Sequence, residues 1–269
     1  MKNKNYLALV MLILTFLLSN NTFAQETSKP VFMTVTTLHR NLDVDRLDTD
    51  RKNWKQAEQE YFDKVTSKND LILKSSILNH YFTENSSEVL LVSVFKTWED
   101  IEKSNDVTNE LIKKGWPDEK ERKAFFDKYN SYYGPVHSDE IYSSVAGAKE
   151  FKPTSKEPMV IYVRKSQMSL TGQGKGLKEF NEKITMNNPY VKGYYPYRHS
   201  WGADSRDFIE AYYYDSLCDL EKSFDKNTEL IKAAWSKEDS RKTFMNEMDK
   251  LFTGIHADYI YTNNPTLSK

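Results

Sequence analysis

Histidines recur at matching positions of this chain in a pattern that could support proton transfer or ligand binding. His80 and His199 stand 119 positions apart, and so do His137 and His256. Because an imidazole titrates near neutral pH, each histidine could act as a base or as a ligand. For His80 and His199, a functional role and a structural role are equally open.

The other two histidines each precede an aspartate by two positions, in the pairs His137 with Asp139 and His256 with Asp258. Residues two apart on a strand share one face, so each pair can be held by hydrogen bonds. Both copies keep the pair, whereas an asymmetric active site would need only one. We therefore predict a structural polar role for these four residues, at the junction between a helix and the last strand of each copy.

Two charged residues interrupt the apolar pattern of predicted strands. Arg164 and Glu210 take the places that Thr36 and Leu91 occupy in the first copy. A buried charge is costly unless it is paired. The sequence therefore indicates either an ion pair between Arg164 and Glu210 or a polar ligand that one of them contacts.

Aromatic side chains accompany these charges and could stack on a planar substrate, although rings at this spacing more often form a core. The rings in question are Tyr162, Tyr195, Tyr197, Trp201, Tyr212 and Tyr214. Substrate binding is assigned to Arg164, to His80 and to these rings.

Several kinds of chemistry find no support in the sequence. There is no His-Glu-x-x-His or Cys-x-x-Cys stretch, so no metal site is predicted. Cys218 is the only cysteine, which excludes an intrachain disulfide, and no nucleophile elbow is present. The formal net charge of −1, with both signs interspersed, gives no electrostatic footprint for nucleic acid.

The elements that must position these residues come from a tandem duplication. Residues 219–261 align with residues 100–142 without a gap, and 18 of these 43 positions are identical. Each copy predicts the order strand, helix, strand, strand, split helix, strand. In the first copy we expect strands at 30–37, 71–82, 88–96 and 137–145 and helices at 50–66 and 98–133, the latter broken near 115–117. In the second we expect strands at 159–164, 193–201, 207–215 and 256–262 and helices at 177–185 and 216–252.

The first residues have the plan of a signal peptide. Lys2 and Lys4 precede an apolar run at 6–18, and a Thr22-Phe23-Ala24 cleavage site follows. Such a run is short for a membrane span of about 20 residues. We therefore expect residues 1–24 to be removed and the protein to be periplasmic or secreted, without a transmembrane segment. The remaining divisions are a first unit at 25–146, a linker at 147–158, a second unit at 159–262 and a frayed tail at 263–269.

This duplicated βαββαβ order resembles the dimeric α+β barrel superfamily. That ferredoxin-like group includes antibiotic-biosynthesis-type monooxygenases, haem-degrading monooxygenases, relatives of chlorite dismutase and stress-responsive barrel proteins. The resemblance covers both units, residues 30–261. It implies an α+β fold in which two ferredoxin-like antiparallel sheets pack face to face as an intrachain barrel, with a separated arrangement of the units as the alternative.

On this resemblance, aliphatic strand faces should meet the helices and the opposite faces should line a cavity between the sheets. The first set includes Val31, Met33 and Val35 on the first strand and Leu90, Val92 and Val94 on the third. The second set includes Phe32, Thr34 and Thr36 and, in the second copy, Arg164 and Glu210. The same reasoning turns His80 and His199, and also both His-x-Asp pairs, inward.

The resemblance also suggests a function. It implies an exported barrel, monomeric or homodimeric, that binds an apolar or aromatic small molecule. As an enzyme it would resemble the cofactor-independent monooxygenases, and the predicted catalytic residues are His199 and Glu210, either of which could move a proton. A non-catalytic binding or interaction protein of the cell envelope and a haem-binding barrel are the alternatives. No cofactor is favoured; haem is the possible one, but no residue matches a haem motif.

Overall fold

The computed structural model describes residues 29–47, 51–150, 157–171 and 174–269. The predicted signal peptide and residues 151–156 of the predicted linker lie outside these ranges. The first unit contains β1 (Phe32–His39), α1 (Leu42–Asp45), α2 (Lys52–Lys64), β2 (Ile72–Phe82), β3 (Glu88–Phe95), α3 (Trp98–Gly115), α4 (Glu119–Ser131) and β4 (Ser138–Ser144). The second contains β5 (Val160–Met168), α5 (Leu177–Phe180) with a π-helical turn (Asn181–Thr185), β6 (Gly193–Trp201), β7 (Asp207–Tyr214), α6 (Leu217–Ala234), α7 (Glu238–Asp249) and β8 (Phe252–Asn263).

The eight strands form one closed antiparallel barrel in the order β1-β3-β2-β8-β5-β7-β6-β4. Each unit contributes a four-stranded sheet. The sheets join edge to edge where β2 pairs with β8, at His80 and Tyr261, and where β4 pairs with β6, at Tyr142 and His199. The predicted α+β fold of two ferredoxin-like units in one barrel is confirmed.

The duplication preserves the residues that start and break the helices. Thr97 accepts a hydrogen bond from the Asp100 backbone N–H at 3.1 Å, and Ser216 accepts one from the Asp219 N–H at 3.1 Å, so α3 and α6 begin with the same cap. The helical region breaks after Gly115, as predicted, and resumes at α4.

Two buried asparagines, Asn69 and Asn188, fix the segment before β2 and β6 to the following long helix. Asn69 Nδ2 donates to Ser104 Oγ at 2.9 Å, and Asn188 Nδ2 donates to the Ser223 carbonyl at 3.0 Å. Both asparagines are fully buried. The equivalence shows that this part of the repeat encodes scaffold.

Replacing either buried asparagine with alanine should therefore destabilise the fold. We expect Asn69→Ala and Asn188→Ala each to lower the free energy of unfolding by about 1–3 kcal/mol, because the groups they bonded stay buried without a partner. Urea unfolding monitored by circular dichroism measures this loss. The exposed Asn130 supplies the control variant Asn130→Ala, and equal losses for all three variants would contradict the assignment.

The side chains of the barrel core show that the first, third and last strands of each copy have the opposite orientation to the predicted one. One buried cluster collects side chains from all eight strands, which places it between the two sheets. Its buried members are Met33, Val35, Leu78, Leu90, Val94, Tyr142, Ile161, Val163, Tyr197, Ile209 and Tyr261. The aliphatic rows of the first and third strands therefore face the barrel interior, and the prediction that they face the helices was wrong. Leu78 and Tyr197 on the second strands do point inward as predicted.

The opposite faces of these strands meet the helices. Phe32, predicted to line the cavity, contacts Trp98 of α3 with ring centroids 5.7 Å apart. Asp139, also predicted to point inward, accepts a hydrogen bond from Thr36 on the helix-facing side at 2.6 Å. The reversal has a physical reason, since the two faces of each sheet are both covered and both need apolar residues.

The C-terminal tail is ordered against the first unit, so the prediction of a frayed tail was wrong. Leu267 is 1% exposed. The backbone of Lys269 exchanges hydrogen bonds with Ser75 at 3.0 and 3.2 Å, and its ammonium donates to the Asn69 carbonyl. Within the described residues, no helix is both long and apolar enough to cross a membrane.

Candidate functional site

Glu210 is a buried carboxyl group on the helix-facing side of β7. The Tyr194 hydroxyl donates to its Oε1 at 2.7 Å, and the Tyr212 hydroxyl donates to the same atom at 3.0 Å. Because both hydroxyls bind one oxygen, Oε2 has no donor among the described residues. The side chain is thus held in place with one oxygen available.

A π-helical turn positions the tyrosine behind Glu210. Asn181 begins this turn, and its Nδ2 donates to the Tyr194 hydroxyl at 3.1 Å. Thr185, at the end of the turn, donates to Asn181 Oδ1 at 3.1 Å. The sequence signal for a plain helix at 177–185 did not reveal this turn, and single π-helical turns are frequent at functional sites.

A stack of two tyrosines forms the open side of the site. The rings of Tyr162 and Tyr212 lie 5.6 Å apart with an interplanar angle of 24°. The Tyr162 hydroxyl donates to Asp258 Oδ1 at 2.6 Å, and Asp258 Oδ2 lies 3.3 Å from His256 Nε2. Tyr162 and Tyr212 are only half-buried, so part of each ring is exposed to solvent.

Arg164 lies between two acidic residues without forming an ion pair with them. It is the direct cross-strand partner of Glu210 on β7 and of Asp258 on β8. Its Nε donates to Ser166 Oγ at 3.3 Å. Among the described residues, no carboxylate oxygen lies within the 4.0 Å ion-pair distance of its guanidinium nitrogens.

Burial dominates the electrostatics of this group, which we call the Glu210 site: Glu210, Tyr194, Tyr212, Tyr162, Arg164 and Asp258. Desolvation raises the pKa of Glu210 above 4.5, while the hydrogen bonds from Tyr194 and Tyr212 and the charge of Arg164 oppose that rise. Desolvation and the carboxylate of Glu210 hold the pKa of Tyr212 well above 10, so this hydroxyl remains a donor. The site therefore combines a carboxyl group suited to proton transfer with neutral hydroxyl groups.

The structure separates the predicted site residues into two sets. Glu210, Arg164, Tyr162, Tyr212 and Tyr214 face the helices of the second unit. The others belong to the barrel interior or its end: Tyr195, Tyr197, His199, His80 and Trp201. The sheet lies between the two sets, so they do not line one cavity.

The second set does not form a site with Glu210. His199 packs edge-on against Tyr142 in the barrel, with ring centroids 6.3 Å apart, on the other side of the sheet from Glu210. His80 bonds Thr83 at 2.8 Å, and Trp201 is 70% exposed at the strand end. His199 and Glu210 therefore cannot act together on one substrate.

Each His-x-Asp pair is an exposed contact between an imidazole nitrogen and a carboxylate, and its aspartate accepts a hydrogen bond from the first strand of the sheet. His137 Nε2 lies 3.2 Å from Asp139 Oδ2, the counterpart of the 3.3 Å separation between His256 and Asp258. Asp139 binds the Thr36 hydroxyl where Asp258 binds that of Tyr162. Both copies therefore have the same His-x-Asp arrangement. In the second copy its aspartate bonds Tyr162, a ring of the Glu210 site.

A second buried carboxyl group, Glu58 on α2, was missed by sequence reasoning. Tyr133 donates to its Oε1 at 2.5 Å, and Trp54 Nε1 donates to the Tyr133 hydroxyl at 3.0 Å. Burial raises the pKa of Glu58 to about 7, against the opposing hydrogen bonds from Tyr133 and Tyr129. In the sequence, a glutamate in a charge-rich helical segment looks like a solvated residue. Its burial results from contacts that form only in the folded chain.

A surface groove of about 580 Å³ lies elsewhere in the second unit. It is lined by Lys175, Gly176, Glu179, Trp235, Asp239, Ser240, Thr243, Phe244 and Glu247. Its floor is the stack of Trp235 on Phe244, at 3.9 Å, and the first unit has the same stack of Trp116 on Phe125, at 4.2 Å. Because both copies keep this feature, we assign it to the scaffold.

The histidines do not fit a haem held between the second sheet and its helices. His199 is directed into the barrel, and His137 and His256 pair with aspartates at exposed strand ends. The space beside Glu210 is occupied by tyrosine rings and by Val191 and Leu220. Across the described ranges, no group of three or more His, Cys, Asp or Glu side chains could hold a metal ion.

Known structures share this fold at low sequence identity. A candidate monooxygenase of Fusobacterium nucleatum is 10% identical, with a TM-score of 0.55 over 88% of this chain and 93% of that one. A candidate monooxygenase of Lactobacillus acidophilus is 9% identical, with a TM-score of 0.51 over 88% and 94%. A mutant chlorite dismutase from Candidatus Nitrospira defluvii, in complex with cyanide, is 13% identical, with a TM-score of 0.51 over 90% and 93%.

These similarities define the class of fold. The chain has the dimeric α+β barrel fold, with both ferredoxin-like units in one polypeptide. No protein-family model matches the sequence, and no curated protein sequence matches it. What the chain does must therefore be argued from its own residues.

Proposed function

We propose that the chain is an exported protein that binds an aromatic or otherwise apolar small molecule at the Glu210 site and acts on it as a monooxygenase without a cofactor. The observation that carries the proposal is the buried Glu210 carboxyl group, held by two tyrosines beside the partly exposed ring stack of Tyr162 and Tyr212. Export is supported by the basic, apolar and small-residue order of residues 1–24.

Glu210 supplies the proton transfer in this proposal. Its carboxylate, through Oε2, accepts a proton from a carbon or oxygen of the bound molecule, while Tyr194 and Tyr212 fix Oε1. The desolvated surroundings raise the basicity of the carboxylate and bring its pKa closer to the working pH. The rings of Tyr162 and Tyr212 hold the substrate in position, which lowers the entropic cost of reaching the transition state.

Molecular oxygen completes the reaction. A methylene group between activating rings or carbonyls loses one proton to Glu210, and the resulting carbanion reacts with O₂. The methylene becomes a carbonyl, one oxygen atom enters the product, and the other leaves as water. Substrate and O₂ balance the atoms and electrons of this conversion without a further reductant.

The test is whether the purified chain activates a carbon acid of this type. 2-Tetralone has an acidic methylene beside a benzene ring, and its hydrogens exchange for deuterium in D₂O when a base removes them. We expect the protein to accelerate this exchange, followed by proton NMR, and to consume O₂ as measured with an electrode. Absence of both effects would refute the proposed enzyme.

A non-catalytic binding protein is the second candidate. It is favoured by the filling of the space beneath α6, where Tyr194, Tyr214 and Val191 are at most 2% exposed. Mass spectrometry of molecules extracted from the purified chain, together with its visible spectrum, distinguishes the candidates. A tightly held aromatic molecule without exchange activity would support binding alone.

A further inference from the structure

We propose that the molecule bound at the Glu210 site carries an acidic oxygen, a carboxylate or a phenolate, and that Arg164 binds this oxygen. The inference rests on the proposed function and specifies the substrate class of the same site. Arg164 is half-buried on the helix-facing side of β5.

The acidic neighbours of Arg164 already have partners of their own. Glu210 accepts hydrogen bonds from Tyr194 and Tyr212, and Asp258 accepts one from Tyr162 and lies 3.3 Å from His256 Nε2. Although Arg164 is opposite both acids in the sheet, neither is within ion-pair distance of it.

The guanidinium therefore has unused donor capacity. Within the part of the chain that the structure describes, only its Nε is bonded, to Ser166, although the group carries five N–H donors in a planar fork. The remaining N–H groups are therefore available to an anion that approaches this face of the sheet. The fork can pair with two oxygens of a carboxylate or with one phenolate oxygen, and the neighbouring rings favour an aromatic acid of this kind.

The ring wall defines the rest of the ligand. The charge of Arg164 reaches Tyr162, where it opposes the rise in pKa caused by burial and by Asp258. An anionic group on Arg164 thus places the attached ring beside Tyr162 and its stacking partner Tyr212. A planar aromatic molecule with one acidic oxygen satisfies both contacts.

The first unit provides an internal contrast. Its residue at the position of Arg164 is Thr36, whose hydroxyl donates to Asp139 at 2.6 Å. Its residue at the position of Glu210 is Leu91, so the first unit has neither the arginine nor the buried glutamate at these two positions. The anion-binding property therefore belongs to the second unit.

A matched pair of probes tests the proposal. 2-Naphthoate and 2-naphthamide have the same ring and nearly the same shape, but only the first is an anion. By isothermal titration calorimetry at pH 7.5, a value we choose so that the acid is ionised, we expect the unmodified chain to bind 2-naphthoate roughly 10- to 100-fold more tightly. Arg164→Gln should abolish this preference and leave the affinity for 2-naphthamide within about twofold.

The remaining outcomes distinguish the anion-binding proposal from the proposed function. Arg46→Gln, a change of an exposed arginine in the first unit, should leave the preference intact. Equal affinity of the unmodified chain for both probes, or a preference that survives Arg164→Gln, overturns the anion-binding proposal but not the Glu210 site. Failure of both probes to bind overturns this proposal together with the proposed function.

Discussion

Replacing Glu210 with glutamine is expected to slow the exchange of 2-tetralone hydrogens for deuterium by roughly 100- to 10,000-fold, the usual range for loss of a positioned base. Glutamine keeps the shape of the side chain and an oxygen that can accept from Tyr194 and Tyr212. It cannot accept the proton of the substrate. The fold should therefore survive while the chemistry stops.

The pH dependence of the exchange gives a second readout of Glu210. Only the carboxylate form can act as a base, so the rate should rise with pH and then level off. Because burial raises the pKa of Glu210, the midpoint of that rise should lie above 4.5. In Glu210→Gln the residual rate should lack this step.

Glu58 supplies the control for this substitution. It is the other buried glutamate bound by a tyrosine, but it lies in the first unit. Glu58→Gln should leave the exchange rate within about twofold of the unmodified chain. Normal exchange by Glu210→Gln, or an equal loss in both variants, would remove Glu210 from the proposed reaction.

Glu58→Gln should instead change stability, and we expect it to be the more stable protein above pH 7. Burial raises the pKa of Glu58 from 4.5 to about 7 in the folded state. Between these values the folded chain binds more protons than the unfolded chain, so its stability falls as pH rises. The full loss above pH 7 is roughly 3 kcal/mol, and a glutamine does not suffer it.

Urea unfolding at pH 5 and at pH 8 measures this effect. The unmodified chain should lose stability between the two conditions by more than Glu58→Gln does, with the difference approaching the value above. Glu110→Gln, a change of an exposed glutamate on α3, should follow the unmodified chain. Parallel pH dependence of Glu58→Gln and the unmodified chain would show that Glu58 does not carry the shift.

The fold was predictable because the duplication constrains it. The two copies have equivalent helix caps at Thr97 and Ser216 and equivalent buried asparagines at Asn69 and Asn188. These residues are identical or conservatively changed between the copies. The order of strands and helices then specifies a ferredoxin-like unit, and two copies in one chain allow the open sheets to cover each other.

The orientation of the strands was not predictable from alternation alone. In a closed barrel with external helices both faces of a strand are covered, so Met33 and Phe32 are both apolar although they face opposite sides. The sequence could not show which apolar row meets the other sheet. That error placed Glu210 and His199 in one cavity.

The candidate site was predictable only in part. Glu210 and Arg164 were identified because charges in apolar strands require a partner. Tyr194, which donates to Glu210, was missed, because a tyrosine between Gly193 and Tyr195 gives no sequence signal of a hydrogen bond. The π-helical turn at Asn181 was missed because its composition is that of an ordinary helix.

A crystal structure of the chain with 2-naphthoate bound would show where the functional site lies. We expect the ligand on the helix-facing side of the second sheet, with its ring against Tyr162 and Tyr212 and its carboxylate on Arg164. A ligand in the barrel interior beside His199, or in the groove at Trp235, would contradict the assignment of the functional site to Glu210.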